Sequence, residues 1–171
     1  VTSFVSTTGY TTVNQNLWPS FSKCILVLLM FLGGCAGSTA GGIKVARFIL
    51  VFKTVRNRIA RVVHPRTVKA VRFEGKIMDE ETISGVMAYF VLYALCFLAI
   101  LLVLSFEKFS FETNFTAAAS TFNNIGPFFS DLNNFGSYSA FSKLIMSFAM
   151  LLGRLEIYPL LILFMPGTWK K

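Results

Sequence analysis

Apolar residues fall into three long runs, each bounded or interrupted by polar stretches that carry glycine. The middle run is the plainest. Between Glu81 and Glu107 lie 25 uncharged residues, roughly 38 Å as helix and more than the hydrocarbon core of a bilayer. Glu80, Glu81 and Thr82 open this helix with acids near its positive end. The first run is uncharged over residues 24–43, roughly 30 Å as helix, and residues 21–32 predict the helix that enters it. The last run, residues 141–165, contains Arg154 and Glu156 and is expected to kink at Pro159. It closes with Trp169 as interfacial anchor, then Lys170 and Lys171. Residues 43–63 alternate apolar blocks with Arg and Lys, as in a helix leaving the membrane. Pro65 ends it, and residues 66–79 form a short basic linker. Residues 111–122 have helical potential but are half polar and too short to span. The pattern predicts an all-α membrane protein in three units: residues 1–63, a cytoplasmic linker at 64–79, and residues 80–171. Three passes put both basic regions inside and both polar glycine stretches outside, with residues 131–138 as an outer loop.

The first run is broken by Gly33-Gly34-Cys35-Ala36-Gly37-Ser38-Thr39-Ala40-Gly41-Gly42, five glycines in ten residues. Each glycine costs a helix about 1 kcal/mol relative to Ala. At membrane depth such backbone survives only where protein buries it or it lines a wet cavity. A flexible plug in a passage fits this stretch. So does a kinked helix whose Gly33, Gly37 and Gly41 let a neighbour pack closely. Upstream, residues 1–12 surround Gly9 and Tyr10 with Ser and Thr. Gly9 can adopt φ > 0, which lets successive carbonyls turn toward one axis and replace the water shell of a cation; an ordinary Ser/Thr-rich loop has the same composition. Asn123-Asn124-Ile125-Gly126-Pro127 follows the short helix, as expected of a half-helix that re-enters the membrane and returns as extended backbone.

An internal repeat ties these pieces together. Residues 21–33 align with 141–153 at an offset of 120, with seven of thirteen positions identical, Phe-Ser-Lys in register among them. Gly9 and Gly126 correspond at an offset of 117. The unit is a polar glycine stretch, then Phe-Ser-Lys, then an inner helix. One copy is complete and the other lacks its front.

Composition agrees with a membrane chain: 171 residues, 54% hydrophobic, 19 of them Phe. The net charge of +8 is concentrated, since residues 44–76 alone carry ten Lys or Arg against Glu74. Between two membrane spans, such a block follows the positive-inside bias and does not call for nucleic acid. Cys24, Cys35 and Cys96 stand singly, without the spacing of a disulfide or zinc framework. His64 has no ligand types around it. The run from Gly37 to Lys44 resembles a phosphate-binding loop only superficially. Ile43 stands where that motif needs Lys, and Val45 follows Lys44. Arg154 lies roughly 20 Å along the last span, near mid-membrane, where an Arg by default marks a function. The repeat sets it opposite Gly34, so carbonyls and hydroxyls of residues 33–42 are candidate partners for the guanidinium. The alternative is burial in helix packing against Glu156 or another acid. The chain opens at Val1 in mid-motif, so a fragment of a longer protein is expected.

With these residues in hand, the sequence resembles the membrane subunit of Trk-type potassium uptake systems, in the wider Trk/Ktr/HKT superfamily. The matching segments are residues 6–12, residues 33–44, residues 123–127 and Gly153-Arg154-Leu155-Glu156, in the family's order over essentially the whole chain. The resemblance implies a pore of four helix–pore-helix–filter–helix repeats, of which this chain holds part of the third and all of the fourth. It implies filter segments at Thr7, Thr8, Gly9 and Tyr10 and at Asn123, Asn124, Ile125 and Gly126, passing K⁺ by backbone carbonyls. It implies a gate made of Gly33, Gly34, Gly37, Ser38, Thr39, Gly41, Gly42 and Arg154. A homodimer in the inner (cytoplasmic) membrane, the missing N-terminal repeats, and a cytosolic nucleotide-binding regulatory subunit docking on the basic face are further implications. No enzymatic step and no cofactor are implied. A secondary transporter with broken helices that bind a solute and a coupling ion at the midplane is the alternative.

Overall fold

The structure, a computed structural model, describes residues 1–35, 37–38, 40–64, 71–73, 75–130, 135–155 and 157–164. The longest uncharged run becomes the longest helix. This helix, α4 (Glu80–Leu104), has Asp79 at its N-cap and both acids in its first turn, where they meet the positive end of the helix dipole. Among the described residues it is the one helix long and apolar enough to cross a membrane. Leu95, Leu98 and Leu102 stand exposed along one side, while Tyr89, Tyr93 and Phe97 are buried.

Before it in the chain come α1 (Thr2–Val5), α2 (Ser20–Phe31) and α3 (Val45–Val63). After it come α5 (Phe111–Phe122), α6 (Ala140–Leu155) and α7 (Ile157–Phe164). The bounds of α5 are those the sequence predicts. Ser110 caps it by accepting the Thr113 N–H at 3.3 Å, which satisfies one of the otherwise orphaned donors of the first turn. Within α5, Ala117, Ala118 and Ala119 are fully buried. Their small side chains let α2, α4 and α6 close around it, with Phe31 and Phe97 meeting edge to face at 5.3 Å and Phe97 and Phe115 at 5.4 Å.

Two features differ from the sequence reading. The predicted linker carries a small antiparallel hairpin, β1 (Arg72–Phe73) with β2 (Lys76–Ile77), paired Arg72 to Ile77 and Phe73 to Lys76. Gly75, at φ 80°, makes its turn. Lys53 of α3 fixes the hairpin by donating to Arg72 O at 2.9 Å, with its ammonium 5.8 Å from the Phe73 ring centroid. Second, residues 2–5 are helical where no helix is predicted. The last run is two helices: α6 ends at Leu155 and α7 begins at Ile157, as the kink expected of Pro159 requires, since proline cannot donate to the carbonyl four residues before it. Positions 65–70, 74, 131–134, 156 and 165–171 lie outside the described residues. With them go the expectations for Pro65, Glu156, Trp169, Lys170 and Lys171 and for the first half of the outer loop.

Candidate functional site

The helices α1 and α5 end in the same way, 117 residues apart. Ser6 N–H donates to Thr2 O at 2.9 Å and Thr8 N–H to Ser3 O at 3.0 Å; Asn123 N–H donates to Ala119 O at 3.1 Å and Ile125 N–H to Ser120 O at 2.9 Å. The backbone then enters the left-handed region at Thr7 (φ 53°) and Gly9 (φ 77°), and again at Asn124 (φ 56°) and Gly126 (φ 107°). In an ordinary strand, successive carbonyls alternate sides. Left-handed residues placed every second position undo that alternation and turn neighbouring carbonyls toward a common side. The two segments touch. A Cβ on Gly9 would fall 2.1 Å from Ile125 O, so only glycine fits there.

Hydroxyls of α5 hold the returning strand. Thr116 Oγ1 accepts the Phe129 N–H at 3.1 Å and donates to Phe129 O at 3.0 Å, and Ser120 Oγ accepts the Gly126 N–H at 3.0 Å. Further along, Asn16 clamps the chain after one segment to the chain after the other. Its Nδ2 donates to Ser130 O at 2.6 Å, and its Oδ1 accepts the Ser130 N–H at 3.2 Å. Beside this clamp is a cavity of 360 Å³ lined by uncharged groups, among them Thr11, Asn14, Asn16, Gly126 and Phe128. Among the described residues no group of three His, Cys, Asp or Glu is placed to hold a metal ion. The oxygens on offer are carbonyls, amides and hydroxyls.

The described residues of the glycine-rich stretch are not helical. The helix α2 ends at Phe31, and Leu32 and Ile43 form a parallel bridge. Gly33 N–H donates to Ile43 O at 2.8 Å and Ile43 N–H to Phe31 O at 3.1 Å, so residues 33–42 leave and return at one point. The described backbone is a loop closed at its base, not a kinked helix. Gly42 needs its left-handed φ of 77°. A Cβ on Gly41 would fall 2.2 Å from Asn123 O, and one on Gly42 3.2 Å from Asn123 Oδ1. The loop therefore lies directly against the first residue of the second segment. Asn123 is fully buried and fixed: its Oδ1 accepts from Tyr93 OH at 2.5 Å, and its Nδ2 donates to Ala119 O at 2.9 Å. From the other side, α6 presents Gly153, where a Cβ would fall 1.8 Å from Phe122 O, and Asn124 Nδ2 donates to Met150 O at 3.1 Å.

Of the predicted site residues, Gly9, Gly41, Gly42, Asn123, Asn124 and Ile125 thus come together. Tyr10 is 84% exposed and stands apart, and Gly37 has open space where a Cβ would point. Arg154 is exposed in the last turn of α6, next to Gly153. Thr39 lies outside the described residues. Two contributors escape the sequence reading. One is Tyr93, the donor to Asn123, whose signal was a buried-looking tyrosine four residues after Tyr89 on an apolar helix. The other is Lys44, to which the sequence reading gave no role in the site; it is 8% exposed. At the outer end of α4, Glu107 accepts the Ser139 N–H at 3.0 Å and the Ser142 hydroxyl at 2.6 Å. Hydrogen bonds from Ser139 and then Ser142 hold its carboxyl below the usual range.

A helix long and apolar enough to cross a membrane, a short capped helix buried among its neighbours and two matched carbonyl turns are the elements of a helical membrane protein. The chain belongs to the TrkH family, cation transport protein, which it matches over residues 1–170. It is 38% identical over 169 residues to the Trk system potassium uptake protein TrkG of Escherichia coli K12, covering 98% of this chain and 35% of that protein. It is 36% identical over 172 residues to the Trk system potassium uptake protein TrkH of Salmonella typhimurium, covering 100% of this chain and 36% of that one. The crystal structure of the potassium transporter TrkH from Vibrio parahaemolyticus superposes with a TM-score of 0.87 at 36% identity, over 98% of this chain and 36% of that chain. The chain thus spans about a third of the length of the relatives it matches. Their names describe transport and not an enzymatic reaction.

Proposed function

We propose that this chain forms about a third of a potassium-conducting pore in the cytoplasmic membrane, contributing part of a third repeat and a whole fourth one. The observation that carries this reading is the pair of left-handed turns, Thr7/Gly9 and Asn124/Gly126, in one hydrogen-bond frame at a constant offset. Residues 7–10 and 123–126 then supply two of four filter segments. Their carbonyls replace the hydration shell of K⁺, which is the transported substrate. Residues 33–42 act as a gate pressed on the filter at Asn123, and Arg154 adds positive charge beside it. The absent repeats complete the ring, a second copy makes a homodimer, and the basic residues of α3 and the hairpin receive a cytosolic nucleotide-binding regulator. The relatives' names, all of potassium uptake systems, support the choice of ion.

The test is rubidium uptake by the complete transporter carrying this segment, in a bacterial host lacking its own potassium uptake systems. Saturable uptake competed by K⁺ is expected. Arg154→Gln is expected to raise or deregulate that uptake. Absence of rubidium uptake from a stably inserted protein would refute the potassium reading, and an unchanged flux in Arg154→Gln would remove the arginine from the gate.

A further inference from the structure

Lys44 stands where residues 33–42 join α3, one position beyond the Leu32–Ile43 bridge. Its side chain does not follow the exposed cations of α3, such as Arg56 and Arg58, into water. It turns back into the loop, where the ammonium donates to Ser38 O and, at 3.2 Å, to Ala40 O. Ser38 is held in turn: its N–H donates to Cys35 O at 2.9 Å, and its Oγ accepts the Ala40 N–H at 3.1 Å. A buried ammonium requires acceptors, and main-chain carbonyls are its partners here. The same carbonyls, three and one residues before Gly41, lead directly into the two glycines that meet Asn123.

We propose that Lys44 is a positioning residue for the gate: a tethered cation that binds the loop carbonyls of Ser38 and Ala40 and so holds Gly41 and Gly42 against the filter. This rests on the gate reading of residues 33–42. Without the ammonium, both carbonyls are free to turn elsewhere, toward water or a passing cation. The backbone bridge at Leu32 and Ile43 would then close only the base of the loop. Lysine at this position therefore differs in kind from the exposed Arg56, Arg58 and Arg61 of α3.

Cys35 is exposed and three residues from Ser38, so its labelling by a water-soluble maleimide reports loop release. In the complete transporter with its other cysteines replaced, Lys44→Met is expected to speed Cys35 labelling about tenfold, the order expected for losing hydrogen bonds to a charged group. It is also expected to raise rubidium uptake in the unstimulated state. Lys44→Arg, which keeps charge and donors, is expected to label and transport close to the unsubstituted protein. If Lys44→Met does not yield folded protein, Lys44→Gln takes its place, with the same direction of change. Labelling of the uncharged variant at the unsubstituted rate overturns the proposal, as does Lys44→Arg labelling as fast as Lys44→Met. An unsubstituted transporter that takes up no rubidium refutes the potassium reading, while the labelling comparison still decides the role of Lys44.

Discussion

Alanine placed at two glycines of the same loop separates contact from flexibility. Neither Gly37 nor Gly41 has a left-handed φ, so alanine meets no backbone penalty at either. Gly37 faces open space, and a Cβ on Gly41 would lie 2.2 Å from Asn123 O. A carbon and a carbonyl oxygen approach no closer than about 3.3 Å, so the loop or the Asn123 peptide must give by about 1 Å. Asn123 has little freedom to do so, since Tyr93 and Ala119 hold its side chain. Overpacking of this kind costs about 1–3 kcal/mol. At Gly37, alanine removes freedom from the unfolded chain and contributes about 0.4–1 kcal/mol. Thermal unfolding of the detergent-solubilised transporter, followed by fluorescence-detected size exclusion, is expected to give a midpoint several degrees lower for Gly41→Ala. Gly37→Ala is expected to match or exceed the unsubstituted midpoint. Rubidium uptake is expected to change only in Gly41→Ala. Equal midpoints for the two variants would refute the contact between the loop and Asn123.

Tyr93→Phe leaves the buried Asn123 Oδ1 without its donor, at a cost of about 1–3 kcal/mol; an unchanged unfolding midpoint would show that this hydroxyl does not anchor the filter. Gly153→Ala sets a Cβ 1.8 Å from Phe122 O and is expected to lower the yield of folded protein sharply. Gly85→Ala, with open space beside it in α4, is expected to stabilise by about 1 kcal/mol; the reverse order of yields would contradict the packing of α6 on α5. Glu107 has a depressed folded-state pKa, so its contribution is present above the ordinary carboxylate value. That contribution is lost as pH falls through the folded value, below about 4.3. The acid-side drop in unfolding midpoint is expected to shrink in Glu107→Gln, and an identical pH profile would remove the clamp between α4 and α6.

The sequence made the long elements legible because their signals are long. An uncharged stretch of 25 residues allows little but α4, and the polar, Ser-capped residues 111–122 mark α5 to the residue. The two glycine turns were legible through Gly9 and Gly126, since glycine at such a place anticipates a positive φ. Their partners Thr7 and Asn124 were not, because an L residue forced left-handed leaves no compositional trace. The helix α1 has four residues and no period to read. The hairpin at residues 72–77 hides in basic sequence, and its attachment depends on Lys53, nineteen positions away. Lys44 escaped for the opposite reason: charge density points to a solvated surface, and only tertiary geometry shows its ammonium turned inward onto Ser38 O and Ala40 O.

The two copies of the repeat part company at one point, and the reason is local. Gly33 and Gly153 are equivalent, yet α2 has already ended at Phe31 while α6 runs through Gly153 to Leu155. Of the nine positions after Gly33, four are glycine, each disfavouring helix by about 1 kcal/mol. After Gly153 come Arg154 and Leu155, both good helix formers. What each copy then does with the pore helix follows from this divergence. The unbroken helix uses Gly153 to bring its own backbone against Phe122 O, and the broken one uses Gly41 to bring a loop against Asn123 O. Two adjacent carbonyls at the end of α5 are thus approached by a rigid element and by a deformable one. A change that pushed the loop away would expose Asn123 O while α6 still held Phe122. Release of the loop therefore need not disturb α5.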